Sequence, residues 1–167
     1  GDADPGPGMP SVVLYLLLYS VLVIGSFAVV TVVSRNSGGD TNLDSFAGLA
    51  RRRPVLALAF TVLLLAQAGV PFTTGFITKF GVIQAAVEVD SYAIAIIAMV
   101  AAVVAAFLYL RIMIAMWTGE VADGAAPVAV PFSMGVAIVA AVGFTIAVGI
   151  FPGWLIDAAD TVTAVAR

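Results

Sequence analysis

The chain has 167 residues, of which 62% are hydrophobic and only 10% charged, with a formal net charge of −3. This apolar share lies well above that of soluble domains and the charged share well below, which excludes a soluble globular protein and indicates an all-α polytopic membrane protein. Cysteine and histidine are both absent, which removes the usual ligands for zinc, iron–sulfur clusters and haem, and with them thiol and imidazole catalysis.

A bilayer core about 30 Å thick takes about 20 apolar residues per helix, and the sequence offers about four such runs within one membrane domain over 1–167. The opening "GDADPGPGMP" is acidic, rich in Pro and Gly, and lacks a basic n-region. It reads as a loop cut from something longer, not as a signal peptide. The first span is expected over 11–34, ending at the basic, Gly-rich "SRNSGGD". In the following "TNLDSFAGLARRRP", Leu43, Phe46, Ala47 and Ala50 recur at helical spacing. They predict a short interfacial helix capped by Thr41 or Asn42, with Arg51, Arg52 and Arg53 among the headgroups; a plain surface connector fits the same pattern.

The second span, 54–87, opens on Pro54 and is too long for one straight crossing; a break over Gly69–Gly75 absorbs the surplus. The third span is expected over 92–117 and the fourth over 128–151. Beyond it, Leu155, Ala158, Ala159, Val162 and Ala166 share one face of an amphipathic C-terminal helix, with Trp154 in the aromatic belt. The "GIFPG" run formally matches a small-residue packing motif but carries a proline at the membrane edge. Arg35, Arg51, Arg52 and Arg53 concentrate the positive charge in one connector. The positive-inside rule therefore puts loop 35–53 in the cytoplasm and both ends of the chain on the outer side.

Two basic residues fall inside spans, Lys79 and Arg111. Lys79 lies about nine residues, roughly 13 Å along a helix, from the end of its span at Glu88, too far for its ammonium to reach the headgroups. A lysine at such depth costs at least about 2.5 kcal/mol, so it is expected to face protein or water and to have a task. The break beside it supplies the setting: Gly69, Pro71 and Gly75 free carbonyls at the end of the first half-helix and amides at the start of the second. Lys79 follows the new helix start by about one turn, near its positive dipole end, and is a candidate proton carrier. The alternative is a lysine held purely for structure.

Hydroxyls and an amide supply a candidate water-ordering path. Ser11, Tyr15, Tyr19 and Ser26 form a narrow stripe on the first span, and Gln67, Thr73, Thr74 and Thr78 cluster about the break. Each also suits an ordinary interhelical hydrogen bond. Arg111 suits either a headgroup anchor or a charge inside the bundle.

The run "RRRPVLALAFTVLLLAQAGVPFTTGFITKFGVI", followed by "AAFLYLRIMIAMW", resembles the antiporter-like membrane subunits of respiratory complex I, most closely the subunit N branch of NADH-quinone oxidoreductase. The span "YLLLYSVLVIGSFAVVTVVS" and the closing "GIFPGWLIDAA" fit the same branch. The most specific part lies between Ala68 and Phe80. The resemblance implies the last four helices of a subunit of about fourteen, with Lys79 as the lysine of a broken helix that passes protons toward the exit side. It implies no cofactor in this chain, with NADH, FMN, iron–sulfur clusters and quinone in other subunits. It also implies neighbouring antiporter-like and small membrane subunits as partners within the bilayer of the cell membrane, and no nucleic acid. A subunit of a Mrp-type cation/proton antiporter, or a packing element with an inert Lys79, are the alternatives.

Overall fold

The computed structural model describes residues 8–71, 73–121, 128–151 and 153, with side chains from residue 16 onward except those of 74, 77 and 78. The terminal helix expected beyond Trp154 lies outside the described residues, as do the side chains of Ser11, Tyr15, Thr74 and Thr78. Six α-helices follow in chain order: α1 Gly8–Asn36, α2 Leu49–Arg52, α3 Pro54–Ala68, α4 Thr74–Glu88, α5 Tyr92–Thr118 and α6 Phe132–Ile150. No strand occurs among the described residues. The described part of α1, together with α5 and α6, is long and apolar enough to cross a membrane, and α3 is a shorter apolar helix.

The second apolar run is indeed two helices. Each half has 15 residues, roughly 22 Å of helix, so neither half alone crosses a 30 Å core with room to spare. They occupy the centre of the bundle. The first helix packs on α3, α4 and α6, while α5 covers α3 and α4 from the other side. The core runs along one stripe of α1, through Leu22, Val29, Val32 and Val33, against Leu56, Phe60, Leu63 and Leu64 of α3.

Lipid is as apolar as leucine, so close contact and not water exclusion holds these helices together. Gly25 of α1 shows what that requires: a Cβ built there would lie 2.5 Å from Cβ of Ala141 on α6. Only glycine lets the two backbones meet. The outer face of α5 is different, with Ile97, Val100, Val103 and Phe107 all exposed. In water such a face would aggregate; at a lipid or subunit boundary it is ordinary.

The connector departs from the expected single amphipathic helix. A 3₁₀ turn at Leu43–Phe46 and the short α2 are separated by Gly48, whose φ of +63° ends one turn before the other begins. Asn42 precedes the first turn but makes no side-chain cap. Instead Gly48 N–H donates to Ala115 O at 3.1 Å, fastening the connector to the end of α5. A second fastening joins α1 to the segment before α6: Asn36 Nδ2 donates to Ala129 O at 3.1 Å, and Ala129 N–H donates back to Asn36 Oδ1 at 3.0 Å. At the far end of "GIFPG", a Cβ on Gly153 would meet nothing within 4 Å among the described residues.

Candidate functional site

The site begins with the way α3 stops. Gly69 takes a left-handed conformation at φ +84° and ψ +37°, which costs glycine nothing and other residues about 1–2 kcal/mol. This turns the chain so that Gly69 N–H donates to Ala66 O at 3.0 Å and Val70 N–H to Leu65 O at 3.2 Å, a Schellman closure. Two of the last four carbonyls are satisfied in this way. The other two belong to Gln67 and Ala68.

In an unbroken helix Gln67 O would accept from the N–H four residues on, but residue 71 is proline and has none. Lys79 supplies the missing donor. Its Nζ donates to Gln67 O at 2.6 Å and to Ala68 O at 3.1 Å. The lysine, one and a half turns into α4, thus caps the C-terminus of α3, where the macrodipole is negative. Lys79 lies near the start of its own half-helix, as expected, and in addition bonds the end of the preceding one. The main chain is interrupted between the two half-helices, and the lysine side chain reaches back across the interruption.

Close approach of the two halves depends on Gly75. A Cβ there would lie 1.7 Å from Ala66 O, an overlap no side-chain movement relieves. Gly69 serves the same junction a second time, because a Cβ on it would press on Lys79 Cδ at 3.0 Å. Thr73 leads into α4, and its hydroxyl donates to Val70 O at 2.6 Å. That bond stitches the break.

Lys79 is half-buried and faces a cavity of about 270 Å³, enough for several waters at about 30 Å³ each. Tyr19 of α1, Gln67 of α3 and Tyr109 of α5 supply the other polar groups in its wall. Ala98, Ala101, Ala102 and Ala105 of α5 make one side. Their spacing of three, one and three residues is a helical stripe of small side chains, which keeps α5 from filling the space. Sequence reading missed Tyr109 and this stripe. Four alanines on one helix face opposite the lysine were the available signal.

The expected hydroxyl path is only partly gathered here. Tyr19 and Gln67 reach the cavity, while Thr73 is not in its wall and Arg111 lies exposed on α5. Ser26 lies behind the cavity. Its Oγ accepts a short hydrogen bond from Gln67 Nε2, which also approaches Leu22 O at 3.4 Å. Among the described residues no group of three or more Asp or Glu side chains suited to a metal ion occurs.

Comparison with known proteins places the chain in a family. Residues 6–105, more than half of the chain, match the family described as NADH:quinone oxidoreductase/Mrp antiporter, transmembrane. The chain is 41% identical over 155 residues to NADH-quinone oxidoreductase subunit N 3 of Streptomyces griseus, covering 92% of this chain and 28% of that protein. Identity and coverage are the same for subunit N of Rhodococcus opacus. The chain thus spans less than a third of the length of these relatives. Among solved structures, respiratory complex I from Thermus thermophilus aligns with a TM-score of 0.70 at 27% identity, over 86% of this chain and 33% of that one. The Mrp complex from Dietzia aligns with a TM-score of 0.79 at 20% identity, over 92% and 37%. On the match of residues 6–105, the chain belongs to the NADH:quinone oxidoreductase/Mrp antiporter transmembrane family.

Proposed function

We propose that the chain acts as the C-terminal part of a proton-translocating membrane subunit of NADH:quinone oxidoreductase, with Lys79 as the proton-transfer group of the exit-side half of a proton path. The observation that carries this reading is Lys79 itself, held on two carbonyls of a broken apolar helix and facing a cavity. An ammonium has three N–H donors, and Gln67 O and Ala68 O take two of them. The third is left for water in the cavity that Lys79 lines together with Tyr19 and Tyr109. Because the two carbonyl bonds hold Nζ in place throughout, a proton can leave and return without the side chain moving.

Likeness to subunit N of Streptomyces griseus and Rhodococcus opacus supports the quinone-linked reading, whereas the likeness to the Mrp complex, at 20% identity, speaks for fold alone. In this reading NADH, FMN, the iron–sulfur clusters and quinone belong to other subunits. Antiporter-like and small membrane subunits cover apolar faces such as that of α5. Loop 35–53, with its four arginines, lies on the cytoplasmic side of the cell membrane and both ends of the chain on the other.

The test is Lys79→Ala in the full subunit within the assembled complex, measuring protons moved per NADH oxidised. The ratio is expected to fall at normal assembly. An unchanged ratio would overturn the proposal, and sodium-dependent proton exchange without NADH would move the protein to the antiporter branch.

A further inference from the structure

We infer that Gln67 is a positioning residue for Lys79, and that it ties the lysine to α1 through Ser26. The inference rests on the reading of Lys79 as a proton carrier. It concerns what keeps the acceptor of that lysine in place.

Gln67 is attached at both ends. Its side-chain amide donates to Ser26 Oγ, on α1, while its main-chain carbonyl accepts from Lys79 Nζ at 2.6 Å, on α4. Gln67 and Ser26 are both buried, at 6% and 8% exposure. A purely apolar pair would fill the same volume without desolvating an amide and a hydroxyl, so packing alone gives no reason for them. The polar pair supplies direction. It fixes the rotation of the last turn of α3, and with it the aim of the one carbonyl that Pro71 leaves without a main-chain donor.

Both attachments run through a single residue, so a shift of α1 relative to α3 moves the acceptor of Lys79. Tyr19, two turns before Ser26 on α1, lines the same cavity as Lys79. A movement of α1 therefore changes the lysine's acceptor and one wall of its water space together. Without the Ser26 bond the last turn of α3 loses its side-chain tie to that hydroxyl, and the carbonyl that holds Nζ is aimed less closely even though every titratable group remains.

The test uses the full subunit in the assembled complex, with protons per NADH measured at matched assembly for Gln67→Leu, Ser26→Ala and Ser26→Thr. Gln67→Leu and Ser26→Ala are expected to lower the ratio by about half, and Ser26→Thr, which restores a hydroxyl, to recover it. As a control, Thr145→Val removes a buried hydroxyl that, among the described residues, bonds within α6 to Ala141 O, and should leave the ratio unchanged. An unchanged ratio in both Gln67→Leu and Ser26→Ala, where Lys79→Ala lowers it, would overturn the positioning role alone. If Gln67→Leu prevents assembly, the Ser26 pair decides: failure of Ser26→Thr to recover the ratio lost in Ser26→Ala overturns the inference. An unchanged ratio in Lys79→Ala would instead remove the reading beneath it.

Discussion

Lys79 Nζ stands 2.6 Å from the carbonyl oxygen of Gln67, twelve positions back along the chain, because Pro71 has no N–H to offer that oxygen. A helix breaker and a charged residue thus complete one another. The proline removes a main-chain donor and the lysine replaces it with a side-chain donor. The second carbonyl, of Ala68, receives the same ammonium at 3.1 Å.

This arrangement separates the capping task of Lys79 from proton transfer. Lys79→Arg keeps several N–H donors but holds its proton at all working pH values. Lys79→Met supplies no donor at all. The number of protons per NADH, measured in membrane vesicles, is expected to fall in both. Thermal stability of the assembled complex should hold in Lys79→Arg and fall in Lys79→Met, where two carbonyls lose their partner at about 1–3 kcal/mol each.

Restoring the main-chain donor tests the same junction from the other side. Pro71→Ala returns an N–H four residues after Gln67, which competes with Lys79 for the carbonyl. The complex is expected to assemble normally and to pump less. Full pumping in Pro71→Ala would show that the lysine does not depend on the proline's missing donor.

Two glycines of α4 make opposite predictions. Gly75→Ala places a methyl 1.7 Å from Ala66 O and must push the half-helices apart, at a cost of about 1–3 kcal/mol. Gly81→Ala meets nothing within 4 Å and gains up to about 1 kcal/mol of helix propensity. Thermal stability of the isolated complex should fall for the first and hold or rise for the second.

Asn36 offers a test far from the lysine. Its side chain exchanges two hydrogen bonds with Ala129, one given and one received. Asn36→Ala removes both, at about 0.5–1.5 kcal/mol each, whereas Asn36→Asp keeps the acceptor. Stability should decrease in the order wild type, Asp, Ala, while protons per NADH at matched assembly stay the same. A loss of pumping in Asn36→Ala would mean that this clasp reaches the proton path.

The membrane class, the helices and the break were legible in one dimension because each is a local property. Long apolar runs exclude water-soluble packing, and Gly69, Pro71 and Gly75 interrupt the helix by their own geometry. Lys79 was legible for the same reason, as a charge that no headgroup can reach. Its partner was not. Sequence pattern put the lysine near the start of its own half-helix, where it is, but only the folded chain, ended at Gly69, presents the carbonyls of Gln67 and Ala68 to it.

Contacts between distant segments were equally out of reach of pattern. Gln67 meets Ser26 across 41 positions and Asn36 meets Ala129 across 93. Neither pairing follows from hydropathy, because a lipid-embedded helix has no polar and apolar sides to orient it toward a neighbour. The rotation of each helix is set where backbones can come closest, as at Gly25 against Ala141 and Gly75 against Ala66. Composition and spacing therefore fixed what crosses the membrane and where it breaks, while close packing at those glycines decided which groups face Lys79.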